Sequence, residues 1–143
     1  AVSTMTVDMP QRFLSRARAN LSLNGYGGPL HRFHEGDCLQ WLKSSGERYG
    51  LIFINPPAFY RNRDNRTAFD LRQDHTILLQ QAMNRLSRDG ILIFSCNCGK
   101  FDLDPSLEQQ YNITDISEQT IAHDCRRRAR NHCCWQLHHF EKS

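Results

Sequence analysis

The sequence sets a polar or nucleophilic residue behind each run that reads as a strand. "TMTV" runs into the acid Asp8, "LHRF" is followed by Asp37 and Cys38, "YGLIFI" runs into Asn55-Pro56-Pro57, and "ILIFSC" ends in Ser95 and Cys96. In open α/β sheets, ligands sit beyond the carboxyl ends of the strands. A carboxylate there can accept both vicinal hydroxyls of a ribose, and an acid beside a backbone N–H can read an adenine edge. Each acid alone also reads as a helix cap. Taken together, one per strand, they point to a nucleoside site.

Asn-Pro-Pro-x-Phe has a physical logic of its own. Two prolines fix the backbone after the strand and remove two donors, which holds the Asn55 amide and the neighbouring carbonyls in one geometry. The amide both donates and accepts, so it can read a planar base edge. Phe59 or Tyr60 offers a face for stacking. The plainer reading is a rigid turn with its aromatics folded into the core.

The net charge of +3 is less informative than where the charge lies. "RNRDNR" carries Arg61, Arg63 and Arg66, and "CRRRARNH" carries Arg126, Arg127, Arg128 and Arg130. Both are either solvated loops or phosphate contacts with a nucleic acid. The six cysteines do not have the spacing of zinc pairs, since Cys96-x-Cys98 and Cys133-Cys134 lack the usual two-residue gap. Free, mostly buried thiols and no metal are expected.

The elements that must position these residues follow from periodicity. Phe13, Leu14, Ala17 and Leu21 share one face of a helix that Pro10 opens at its first position and Asn24-Gly25 closes. Asp37 can cap a second helix through Leu39, Trp41 and Leu42. The unbroken run in "YGLIFI" predicts a strand buried on both faces. Residues 56–68 read as a loop. "FDLRQDHTILLQQAMNRLSRDG" predicts the longest helix, with Leu78, Leu79, Ala82, Met83 and Leu86 in its stripe and Gly90 past its end. A weaker helix is expected over 104–111, and "NITDISEQ" and "HCCWQLHHF" as two final strands. Alternating strands and helices predict an α/β fold with a mainly parallel sheet in a single domain, 1–143. No apolar run approaches the ~20 residues of a membrane helix. Residues 1–8 lack the basic start and apolar stretch of a signal peptide, so a cytoplasmic protein is expected.

With the strand-end acid, "GDC", "NPPAF" and "ILIFSCN", the chain resembles the class I methyltransferases that use S-adenosylmethionine and carry an (Asn/Asp)-Pro-Pro-aromatic motif. "TVDMPQRFLSRARANLSLNG", "FDLRQDHTILLQQAMNRLSRDGILIFS" and "ISEQTIAHDCRRRARNHCCWQL" extend the likeness over nearly the whole chain. They are similar to the C-terminal, guanine-N7 domains of bifunctional 23S ribosomal RNA guanine methyltransferases. The resemblance implies a Rossmann-like class I fold, S-adenosylmethionine as cofactor and 23S ribosomal RNA as partner. By position it implies that Asp8 holds the cofactor ribose, Met9 lies against the adenine, and Asp37 and Cys38 meet the adenine edge. Asn55, Pro56, Pro57 and Phe59 then shape the place where methyl donor and base meet, with the arginines holding RNA around an extruded base.

The chain departs from that pattern in ways that carry expectations. The family's first strand and glycine-rich turn have no counterpart before Thr4. An N-terminally truncated domain is therefore expected, binding S-adenosylmethionine weakly or not at all and prone to self-association through open sheet edges. Asn55 stands where the family more often has Asp, and Cys96 where it tends to have Asn. Guanine N7 offers an in-plane lone pair and has no proton to lose, so no general base is needed. Cytosine C5 requires a thiolate to add at C6. Cys96 keeps that cytosine-5 alternative open, beside its reading as a buried strand-end thiol. A non-catalytic RNA-binding module is the other alternative.

Overall fold

Residues 1–45 and 46–143 form two units, seen in a computed structural model that describes residues 1–61, 67–121 and 131–141.

In the first unit, β1 (Thr4–Asp8) and β2 (His31–Glu35) pair in parallel, with Asp8 opposite Glu35, so their carboxyl ends finish level. Helix α1 (Gln11–Leu23) connects them. Pro10 takes the capping position before α1, one residue earlier than its expected first-turn place. Gly25, at φ 79°, turns the chain out of the helix in the left-handed region that disfavours a side chain. Of the expected stripe only Leu14 is buried; Phe13 is 45% exposed, under the Arg12 guanidinium. Asp37 caps α2 (Cys38–Ser44) by accepting the Gln40 N–H at 2.8 Å.

The second unit holds β3 (Tyr49–Ile54), β4 (Phe59–Arg61), β5 (Thr67–Asp70), α3 (Leu71–Met83), β6 (Leu86–Cys96), α4 (Pro105–Glu108), β7 (Tyr111–Asp115), α5 (Ser117–Thr120) and β8 (Cys133–His139). Its main sheet runs β3-β6-β8-β7. Only β3 and β6 are parallel there; β8 returns antiparallel between β6 and β7, so this sheet is mixed where a mainly parallel one was expected. The core is built on Leu71, Leu79, Met83, Leu86, Leu92 and Phe94, with Phe94 stacked on Trp135 at 5.6 Å.

The sequence expectations miss in four further places: to begin with, "NITDISEQ" is a strand only as far as Asp115, since Ser117–Thr120 is the helix α5. The long helix ends at Met83 and the following strand starts at Leu86, not Ile91. Leu86 is fully buried in the strand, and a helix continued through it would ask the same of it, so the apolar stripe could not mark the boundary. Residues 56–68 are not all loop: β4 and β5 form an antiparallel hairpin, too short for its alternation to register. Last, β3 is not buried on both faces. Leu51 and Phe53 are 63% and 65% exposed, because β3 is the outermost strand of its sheet and α3 packs on β5 and β6 instead. Among the described residues no helix is long and apolar enough to cross a membrane.

Candidate functional site

The parallel register of β1 and β2 brings Asp8, Met9, Asp37 and Cys38 to one end of the first unit. Asp8 Oδ1 accepts the Met9 N–H at 2.8 Å, and the Gly36 N–H donates to the Asp8 carbonyl at 3.1 Å. A carboxylate held at one oxygen keeps acceptor capacity at the other. The Cys38 thiol donates to the Val7 carbonyl at 3.5 Å. Desolvation first, then the Asp8 and Asp37 carboxylates, push the Cys38 thiol upward. Both acids thus act on the same sulfur. Met9 is 36% exposed beside them. Asp37 serves as the α2 cap, so the plainer reading of that acid is realised whatever else it does.

At the carboxyl end of β3 the chain leaves the sheet at Asn55, which is exposed, as are Pro57 and Phe59; Pro56 is half-buried. The Leu71 N–H donates to the Ala58 carbonyl at 2.9 Å, pinning the turn to the start of α3. In the hairpin Phe59 lies opposite Asp70. The Phe59 ring is 61% exposed, so it is not folded into the core. The Arg61 guanidinium sits 5.9 Å from its centroid. Arg63, Arg66, Arg126, Arg127, Arg128 and Arg130 lie outside the described residues.

Beside Phe59 opens a recess of about 520 Å³, lined also by Arg61, Asp70, Arg72, Asn97, Cys98 and Asn131. The Asp70 carboxylate is already engaged, with Oδ1 accepting the Arg72 N–H at 2.9 Å and Oδ2 the Gln73 amide at 3.4 Å. Among the described residues no histidine lines the recess. Asn97 and Asn131 are amides able to donate and accept, and with Arg72 they were missed by the sequence reading. The signal for Asn97 was its place directly after Cys96 at a strand end; Arg72 and Asn131 gave none.

Cys96 is fully buried, facing Cys133 across β6 and β8. Desolvation, with the Cys98 thiol beside it, pushes the Cys96 thiol up to about 12. A thiol at that value is ionised on the order of 10⁻⁵ at neutral pH. A nucleophilic cysteine needs the opposite environment, electropositive and partly open. The burial argues against Cys96 as a cytosine nucleophile. Among the described residues no group of three or more His, Cys, Asp or Glu side chains is disposed to hold a metal.

No family model matches the sequence. The chain is 40% identical over 137 residues to the ribosomal RNA large subunit methyltransferase K/L of Desulfotalea psychrophila, covering 96% of this chain and 19% of that protein. It is 43% identical over 137 residues to the protein of the same name from Ectopseudomonas mendocina, with the same coverage. The chain thus spans about one fifth of these relatives' length. Among solved structures, SMU.776, a methyltransferase complexed with SAH, superposes with a TM-score of 0.72 at 19% identity, covering 96% of this chain and 39% of that one. A SAM-dependent methyltransferase from Agrobacterium tumefaciens gives a TM-score of 0.67 at 14% identity, covering 94% and 48%.

Proposed function

We propose that this chain, which has the class I S-adenosylmethionine methyltransferase fold, is part of an enzyme that methylates 23S ribosomal RNA at guanine N7. The observation that carries the reading is the recess beside Phe59, where Asp70, the only carboxylate among the described lining residues, is occupied in capping α3. A recess with no free base among its described residues suits a nucleophile that has no proton to lose. Guanine N7 is one; an exocyclic amine or a sugar hydroxyl is not. The relatives' names supply the RNA.

The residues present fit the cofactor's nucleoside half, since Asp8 and Asp37 sit at adjoining parallel strand ends with Met9 and Cys38 beside them. When bound, S-adenosylmethionine supplies an electrophilic methyl on a sulfonium. Asp8 would accept the ribose hydroxyls, and Asp37, Cys38 and Met9 would meet the adenine. Asn55, on the backbone fixed by Pro56 and Pro57, would take the edge of the target base, and Phe59 would stack on its face. The protein's contribution is then orientation and exclusion of water, which suffice for in-line attack by a lone pair. Arg61 beside Phe59 would neutralise the phosphates of the strand from which the base is drawn.

The test is methyl transfer by the complete gene product to 23S RNA lacking the modification, with the product nucleoside read by mass spectrometry. N7-methylguanosine is expected, and Cys96→Ala should keep the activity within about threefold, as an inert buried thiol would. 5-Methylcytidine, or activity abolished in Cys96→Ala, would move the assignment to cytosine. RNA binding without transfer would move it to a binding module.

A further inference from the structure

We propose that Arg72 and His75, on the first turns of α3, are positioning residues for methyl transfer, acting through the segment that carries Asn97 and Cys98 into the recess. The proposal rests on the functional reading above. Residues 97–104, between β6 and α4, belong to no strand or helix, so no ladder of backbone hydrogen bonds fixes their course. Side chains of α3 hold it at two points, beside the Cys133 thiol, which donates to the Gly99 carbonyl at 3.7 Å. Arg72 Nη2 donates to the Lys100 carbonyl at 2.9 Å. His75 is buried, with Nδ1 3.0 Å from the Leu71 carbonyl and Nε2 3.0 Å from the Asp104 backbone nitrogen. A carbonyl can only accept and a backbone N–H only donate, so the ring carries its proton on Nδ1 and accepts at Nε2.

The two anchors grip the segment on either side of Phe101. That ring is 5% exposed and meets His75 edge-on at 5.0 Å and Trp135 at 5.7 Å. Gly99, at φ 73°, supplies the left-handed turn between Cys98 and the first anchor. A loop held at Lys100, Phe101 and Asp104 presents Asn97 in one place. Asn97 lines the recess that the functional reading gives to the target base, so displacing that wall by about 1 Å can misplace the base and cost roughly a hundredfold in rate.

The experiment compares kcat and KM of the complete gene product on unmodified 23S RNA. Arg72→Met and His75→Leu should each lower kcat by roughly tenfold or more while leaving KM for S-adenosylmethionine within about twofold. Arg72→Lys keeps a donor for Lys100 and His75→Gln keeps an acceptor where Nε2 stood, so both should recover most of the lost kcat. The idea is overturned by kcat unchanged in the disruptive variants, or by equal losses in the conservative ones. Should His75→Leu fail to fold, the exposed Arg72 decides alone. An active wild type with unaffected variants sinks this inference only. A wild type inert toward RNA sinks the functional reading and the inference together.

Discussion

Cys96 shows how far a residue's type can mislead about its role. Ser-Cys at a strand end is what a thiol nucleophile would look like in sequence, yet the side chain is fully buried and its thiol is pushed up to about 12. Burial raises Cys133 and Cys134 as well. Thiols whose folded-state values lie above the unfolded one favour the folded state when protonated. That stability is fully present below pH 9, the ordinary thiol value, and is lost as pH rises from there toward 12. Urea midpoints should accordingly fall between pH 8 and pH 10.5, and Cys96→Ala should flatten the fall while lowering the pH 8 midpoint through the small cavity it leaves. A wild-type midpoint independent of pH over that range would remove the burial argument against a nucleophilic Cys96. Asp8 and Asp37 were legible from the sequence because a short acid at a strand end has few roles, and the structure puts both beside the Cys38 sulfur. Arg72 and His75 were not, because their partners are backbone atoms 28 and 29 residues away.

At the level of elements, the boundary between α3 and β6 shows what periodicity cannot decide. The stripe Leu78, Leu79, Ala82, Met83 and Leu86 is buried throughout, so a helix continued through Leu86 satisfied the pattern as well as the observed strand. What distinguishes them is Gly90, read from the sequence as the residue past a helix end. It lies inside β6, where a Cβ would stand 2.8 Å from Leu86 Cδ1 and Cγ and 2.9 Å from the Ser87 carbonyl oxygen. The register between β3 and β6 shifts between Tyr49 and Leu51, so the segment from Leu86 to Gly90 departs from regular pairing. Gly90→Ala should therefore destabilise by about 1–3 kcal/mol, the usual cost of overpacking against backbone. A glycine that merely followed a helix would tolerate alanine within a few tenths, and denaturant unfolding distinguishes the two. The βαβ order and the four strand ends were readable because long apolar runs and capping residues are local signals. The β4–β5 hairpin was not, since three paired positions give too little alternation to see.

For the molecule as a whole, the exposed face of β3 is the main departure from the expected burial. A strand as apolar as "LIFI" is expected in the middle of a parallel sheet, buried on both sides. Here it is the outermost strand of its sheet, and Leu51 and Phe53, two residues apart, project from one side with 63% and 65% of their surfaces in solvent. An apolar edge strand with alternate large side chains in water is a template for pairing with another chain. The relatives matched are about five times longer than this chain, so in them other segments are available to cover such a face. The 143-residue chain alone is thus expected to self-associate through β3. Phe53→Lys places a charge in the exposed row without disturbing the buried core, and should shift the chain toward monomer by roughly tenfold in association constant, the effect of removing about 1–2 kcal/mol of apolar burial per contact. Sedimentation velocity between 5 and 100 μM, a range chosen to span ordinary weak dimers, reads this directly. A wild-type chain monomeric across that range would show that the exposed leucine and phenylalanine are tolerated singly, and a Phe53→Lys chain associating as strongly as wild type would move the contact to another edge.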